Sequence, residues 1–398
     1  MKLLLNVRTR KMNSRKKKSD SDEARNCGDI HRLAEELKIS GRAIIDFSTP
    51  ASPLGVSKKI KTELRKYLKD LDQYPDPEAR RLKKRLAQEH GIDPETIFCG
   101  NGSTELVYLL ARALRPRNIL IPEPTSPEYE RACRSTNQEL RVIRYELKEE
   151  TNFDINPEKF ISAMSGTMDL SLITHHSSPP FDLVFLCNPN TPTGRALNRG
   201  DILQIAAAAK ESGYYLVVDE AFIDYHPENS AIRDVTNNPH LIVLRSMSPF
   251  YSLSGLRVGY GVFPRHLVQK LKDHKEPWTV NSLAQRAAGI ALKDKKFRAD
   301  TLKSIQDEKK YLEKNFNKIG LAFLPSAAQF YLAKIEGATE ICRQLRTKGI
   351  LLCECAESRG LDRSHIRIAV KSHRENAILI RELKNILQRG LECLSVAG

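Results

Sequence analysis

Residues 245–260 read Arg245-Ser246-Met247-Ser248-Pro249-Phe250-Tyr251-Ser252-Leu253-Ser254-Gly255-Leu256-Arg257-Val258-Gly259-Tyr260, directly after the apolar run Leu241-Ile242-Val243-Leu244. A continuous apolar run of that length is a buried strand, and in open α/β sheets ligands bind at the carboxyl ends of such strands. Two hydroxyls, Ser246 and Ser248, therefore stand where a ligand would sit, and Arg257 follows in a Gly-Leu-Arg-x-Gly-Tyr element. The three can grip one phosphate dianion, the guanidinium offering a planar donor fork. A helix turn with a surface arginine is the plainer reading of the same residues.

Working outward, the runs Asn118-Ile119-Leu120-Ile121, Leu183-Val184-Phe185-Leu186 and Tyr215-Leu216-Val217-Val218 alternate with helical stretches, one of them over about 199–212. Strands linked through helices predict an α/β fold with a mostly parallel sheet covered on both faces. Upstream, apolar periodicity predicts helices over 29–37, 57–71, 77–90 and 103–114, with a short strand at 43–47. Beyond Lys270 the pattern changes to long amphipathic helices, strands at 322–324, 330–333 and 366–370, and a last helix over 375–392. The expected organisation is a basic tail (1–26), an N-terminal arm (27–60) packing with the small domain, a large α/β domain (61–270) and a smaller α+β domain (271–398).

Three more strand-end loops carry polar residues. Gly100-Asn101-Gly102-Ser103-Thr104-Glu105 places small residues before a helix start, where free N–H groups and the positive dipole end suit phosphate; it is equally a well-capped helix. Asp219 ends one strand, where it can face a cofactor cation or cap the next segment. Cys187-Asn188-Pro189-Asn190-Thr191-Pro192-Thr193-Gly194 is a rigid turn that need not bind anything.

The chain has 398 residues, 40% of them hydrophobic, enough for two cores. No apolar run is long enough for a membrane span, Leu3-Leu4-Leu5 being broken at Asn6 and Arg8, so neither a membrane partner nor a secretory signal is expected and the cytoplasm is the default location. Eight scattered cysteines suggest neither a disulfide framework nor a zinc site, and read as small buried hydrophobes. The net charge of +15 invites a nucleic-acid reading. Much of it lies in the acid-free segment 2–18, which reads as a disordered arm, or as residues upstream of a start at Met12. Without interleaved aromatics, nucleic acid is not the expected partner.

Tyr74-Pro75-Asp76, Gly100 to Glu105, Cys187-Asn188-Pro189 with Pro192-Thr193-Gly194, Asp219-Glu220-Ala221-Phe222 and Ser246 with Gly255 to Tyr260 occur in an order and spacing that resemble one family across about residues 28–390. That family is the pyridoxal-phosphate-dependent fold-type I enzymes, and within it histidinol-phosphate aminotransferase and, more closely, threonine-phosphate decarboxylase of cobalamin synthesis. The decarboxylase is favoured by residues 29–37, by Ile45-Asp46-Phe47-Ser48 before Pro53-Leu54-Gly55, and by Ile366 to Val370 before Glu375-Asn376. The resemblance implies that Ser103, Thr104, Ser246, Ser248 and Arg257 hold the cofactor phosphate, helped by Tyr74 from a neighbouring subunit of a homodimer. It implies that Asp219 pairs with the pyridine nitrogen and Arg367 with the carboxylate of a small phosphorylated amino acid.

The chain departs from the family at the reactive centre. The lysine that binds the cofactor aldehyde as a Schiff base belongs three residues after Ser246 and eight before Arg257, where this sequence has Pro249. Between Pro239 and Arg257 there is no lysine, and His240 is the sole histidine, so a one-residue slip does not rescue the site. The ring-stacking aromatic is matched by Ser126, the asparagine that contacts the ring hydroxyl by Thr191, and the arm's His-Gly-Gly and Asn-Ile-Asn elements by Asn26-Cys27-Gly28 and Pro50-Ala51-Ser52. Proline has no amine to condense and no proton to move. The first expectation is a catalytically silent relative binding pyridoxal phosphate non-covalently, or a phosphorylated amino acid. The second is an active decarboxylase or aminotransferase with altered chemistry or an amine from elsewhere; the third is a binding role for the basic arm toward nucleic acid or a protein partner.

Overall fold

The computed structural model describes residues 29–165 and 181–396, and side chains of the last helix as far as residue 388. The basic tail and Asn26-Cys27-Gly28 lie outside the described residues. In chain order the strands are β1 (Ile45–Asp46), β2 (Ile97–Gly100), β3 (Asn118–Glu123), β4 (Arg141–Glu146), β5 (Leu183–Cys187), β6 (Tyr215–Asp219), β7 (Leu241–Ser246), β8 (Gly259–Val262), β9 (Ala322–Phe323), β10 (Phe330–Lys334), β11 (Ile350–Leu351), β12 (Cys353–Glu354) and β13 (His365–Ala369).

Seven of them form one sheet in the order β2-β8-β7-β6-β5-β3-β4, parallel from β7 to β4, with β8 antiparallel to both its neighbours. Because β5, β6 and β7 are apolar at successive positions, each feeds two cores. Val184, Leu186, Leu216, Val218, Leu241 and Val243 face the layer that includes helix Arg199–Ser212, while Leu183, Phe185, Val217, Ile242 and Leu244 face helix Ser103–Leu114. Alternation of side-chain direction along a strand makes a doubly covered strand read as unbroken hydrophobicity. Helix Ser282–Ala291, beyond the expected change of pattern, supplies Ala284, Ala287 and Ala288 to the first of these cores.

The second sheet, β12-β13-β10-β9, is antiparallel throughout. Its core faces Ile305, Leu312 and Phe316 of helix Lys295–Lys318, Ile341 and Leu345 of helix Ala338–Thr347, and Leu379 and Leu383 of the last helix, His373–Val396. The arm joins this unit: β1 pairs in parallel with β11, Phe47 is fully buried, and the Phe47 carbonyl accepts from the Ala369 N–H. Among the described residues, Cys99, Cys133, Cys187, Cys342 and Cys355 are free and buried. No described helix is long and apolar enough to cross a membrane.

Candidate functional site

Strand polarity assembles the site. Gly259 opens the antiparallel strand β8, so it lies beside the ends of both β2 and β7, paired with Gly100 on one side and Ser246 on the other. A Cβ on Gly259 would stand 2.4 Å from the Ser103 nitrogen and 2.8 Å from the Gly102 carbonyl carbon, so only glycine lets β8 pass under the start of helix Ser103–Leu114. Gly102, at φ +82°, turns the chain into that helix, and its missing Cβ leaves room for the Arg257 guanidinium, whose Nη2 would be 2.4 Å from it. No side chain caps the helix start, unlike the helices begun by Asn156, Asn198 and Asn281, whose side chains accept N–H bonds.

The hydroxyls complete this cradle. The Ser248 N–H donates to Ser246 Oγ at 3.2 Å, and Ser248 Oγ is buried with no partner. An uncapped helix start, an orphaned hydroxyl and a guanidinium held across a glycine together form a polar concavity suited to an anion. Arg257 adopts φ +54°, a left-handed conformation that costs a non-glycine residue energy, so its placement is maintained by the surroundings. Ser103, Ser246, Ser248 and Arg257 are thus brought together around one helix start, with Thr104 in its first turn.

Pro249 is buried in the first turn of the short helix Ser248–Tyr251. Proline is tolerated there because first-turn N–H groups have no intrahelical acceptor. Its carbonyl accepts from the Ser52 N–H at 2.9 Å, and Ser252 Oγ donates to the Ser52 carbonyl at 3.3 Å, so the arm is seated against this helix.

At the end of β6, Asp219 accepts from the Tyr129 hydroxyl at 2.8 Å and from the Ala221 N–H at 3.0 Å. Burial raises the Asp219 pKa, while these two donors oppose the rise. Tyr129 is almost wholly buried and stacks on Phe185 with centroids 4.8 Å apart and planes 7° from parallel. The sequence reading missed Tyr129 as a contributor, since a buried tyrosine ordinarily reads as core. Behind the cradle, Arg245 is buried between Glu220 (3.1 Å) and Asp224 (2.8 Å).

Arg367, on β13, donates to Thr191 Oγ1 and to the Ser48 carbonyl, both at 2.8 Å, and its Nε is buried without a partner. It makes no ion pair with a described residue. Arg367, Thr191 and Ser126 line one cleft of about 630 Å³, whose walls do not include the Ser103–Ser246–Arg257 cradle. Tyr74 stands outside both, 83% exposed, with Trp278 5.1 Å away. Among the described residues, no cluster of His, Cys, Asp or Glu has an arrangement that could hold a metal ion.

A mixed, mostly parallel sheet with this cradle and cleft defines a fold-type I aminotransferase architecture. The family model for aminotransferase class I and II matches residues 42–383, and the chain belongs to that family, whose members depend on pyridoxal phosphate. It is 32% identical over 364 residues to the threonine-phosphate decarboxylase of Salmonella typhimurium, covering 90% of this chain and 96% of that protein. Among solved structures, the histidinol-phosphate aminotransferase from Clostridium acetobutylicum superposes with a TM-score of 0.77 at 28% identity, covering 87% of this chain and all of that one. The histidinol-phosphate aminotransferase from Sinorhizobium meliloti, solved in complex with pyridoxal-5'-phosphate, shares the fold with a TM-score of 0.79 at 21% identity, covering 90% of this chain and 94% of that one.

Proposed function

We propose that this chain retains the phosphate-binding half of a pyridoxal-phosphate site and binds that cofactor, or a phosphorylated amino acid, without a covalent bond, its catalysis lost or strongly reduced. The observation that carries the reading is Pro249, buried where the covalent amine belongs and tied through its carbonyl to Ser52. The residues present fit the cofactor's phosphate: the orphaned Ser248 Oγ, the uncapped first turn and Arg257 supply donors to one point.

In this reading Ser103, Thr104, Ser246, Ser248 and Arg257 hold the phosphate, and Asp219, oriented by Tyr129 and the Ala221 N–H, faces the pyridine nitrogen. Arg367 takes a carboxylate, since its guanidinium has only neutral partners. Pyridoxal phosphate supplies an electron-accepting ring when bound. This chain's residues can bind and orient such a group, but Pro249 can neither bond its aldehyde nor move a proton, and positioned proton transfer alone contributes about 10²–10⁴ in rate. Tyr74 has a role only if it reaches the phosphate of a second copy. The exposure of Leu68, Leu71, Tyr74 and Trp278 supports a homodimer that covers them.

Lys371 favours a second reading, that of an enzyme with a substitute amine. Its Nζ donates to the Thr49 carbonyl at 2.9 Å, on the loop whose Ser48 carbonyl Arg367 holds, and burial lowers its pKa. Equilibrium dialysis with pyridoxal phosphate, paired with turnover of threonine phosphate and histidinol phosphate, tests both. Reversible micromolar or weaker binding with no turnover is expected. Robust turnover that persists in Pro249→Ala and vanishes in Lys371→Met would establish the second reading instead.

A further inference from the structure

On the face of the large sheet turned away from the cradle lies a cavity of about 470 Å³. Side chains alternate along β7, so Arg245 shares the face of Val243 and of helix Arg199–Ser212, whereas Ser246 shares the face of helix Ser103–Leu114 and the cradle. Arg245, Tyr251 and Tyr260 line the cavity from within, and the exposed Arg233 and Glu228 stand at its rim. None of Leu68, Leu71, Tyr74 and Trp278, the residues a second copy would cover, lines it.

The ion pairs around it leave charge of both signs unmatched. Arg199 is balanced by Asp234 and Arg298 by Glu89. On the floor, Arg245 is shared by two buried carboxylates. Glu220 has both oxygens engaged, by the Ala231 N–H, the Ser230 hydroxyl and Arg245. Asp224, only 6% exposed, engages Oδ1 alone, and its Oδ2 accepts from no described residue. Glu228 has only His226, at 3.4 Å. The Arg233 guanidinium has neither an ion pair nor a hydrogen bond among the described residues.

Two donors are unmet as well. The buried Tyr251 hydroxyl makes no hydrogen bond with a described residue. His90 is neutral, burial pulling its pKa down to about 3, and its Nε2 lies 2.8 Å from the Tyr260 hydroxyl. Whichever partner donates in that bond, one donor is left over: His90 Nδ1–H if Tyr260 donates, the Tyr260 O–H if His90 does. Unmatched buried groups cost free energy, which a ligand of complementary charge offsets. A carboxylate fits Arg233 and the spare donors, an ammonium fits Asp224, and Ile232, Met247 and Leu292 form an apolar wall beside them.

We infer that this cavity binds a free α-amino acid with an apolar side chain, its carboxylate held by Arg233 and Tyr251 and its ammonium by Asp224. Calorimetric titration of the cofactor-free protein with L-leucine tests it. One site per chain is expected, and it should be retained in Arg367→Ala, which removes the guanidinium of the other cleft.

Arg233→Ala should weaken that site about tenfold or more, the loss expected for one charge-assisted contact, and Tyr251→Phe should weaken it severalfold. Both variants leave the Arg245–Glu220–Asp224 ion pairs in place. The analogues 4-methylpentanoate, which lacks the ammonium, and 3-methylbutylamine, which lacks the carboxylate, should each bind about tenfold or more weakly than leucine. Absence of leucine binding, affinity unmoved in both Arg233→Ala and Tyr251→Phe, or loss of the site in Arg367→Ala would overturn the inference. Equal affinity for leucine and 4-methylpentanoate would also overturn it, since Asp224 would then recognise nothing.

Discussion

Arg257→Gly separates the binding role of this residue from any structural one, because the two effects are expected to have opposite signs. Arg257 holds φ +54°, and the left-handed region costs a non-glycine residue about 1–2 kcal/mol. Glycine removes that cost but adds about 0.5–1 kcal/mol of unfolded-chain entropy, so the ligand-free variant should be between unchanged and about 1.5 kcal/mol more stable. The lost guanidinium should act the other way on ligand binding. A charge-assisted contact to phosphate contributes about 1.5–3 kcal/mol, and because Arg257 is exposed the low end applies to its two-pronged contact taken as a whole. Pyridoxal phosphate binding should therefore weaken roughly tenfold. Urea denaturation of the ligand-free protein and equilibrium dialysis, run side by side, measure the two quantities. Unchanged affinity, or a stability loss of several kcal/mol, would show that Arg257 is not a phosphate ligand but a structural residue.

Gly259→Ala should cost about 3 kcal/mol or more in urea denaturation, because its Cβ meets the backbone of Ser103 and Gly102, which cannot step aside. Tyr129→Phe removes a donor to Asp219 and should raise that carboxyl's pKa further, read by ¹³C NMR titration of labelled aspartate in the ligand-free protein. His90 is held neutral by burial, its pKa pulled from 6.5 down to about 3, with Arg245, Arg233 and Arg298 adding to the effect. Its contribution to stability is therefore complete above pH 6.5 and is lost as the pH falls toward 3. The unfolding free energy of His90→Gln, from urea denaturation, should fall less over that window, by roughly 2–3 kcal/mol at pH 4.5.

Strands β5, β6 and β7 were legible in the sequence because each is apolar at successive positions, the mark of a strand covered on both faces. Strand β8 was not. Gly259-Tyr260-Gly261-Val262 has two glycines, which weaken strand propensity, and the spacing needed at Gly259 exists only once helix Ser103–Leu114 lies across it. Strand β4 was missed as well, since it is an edge strand with Arg141, Arg144 and Glu146 exposed and no residue fully buried. At the site, Ser246, Ser248 and Arg257 could be picked out from their place after a strand. Tyr129 could not, because its partner Asp219 is 90 residues away. The loss at Pro249 was readable only against the family resemblance, since a proline after a strand is locally unremarkable and the first turn of a helix accommodates it.

The central claim, that the phosphate grip survives while the covalent amine is gone, is tested most directly by intact mass after borohydride reduction of protein incubated with pyridoxal phosphate. The unmodified chain and Pro249→Lys should be compared at equal cofactor. No stoichiometric adduct is expected on the unmodified chain, and one adduct of cofactor mass, located to residue 249, is expected on the variant. A single stoichiometric adduct on the unmodified chain would contradict the claim.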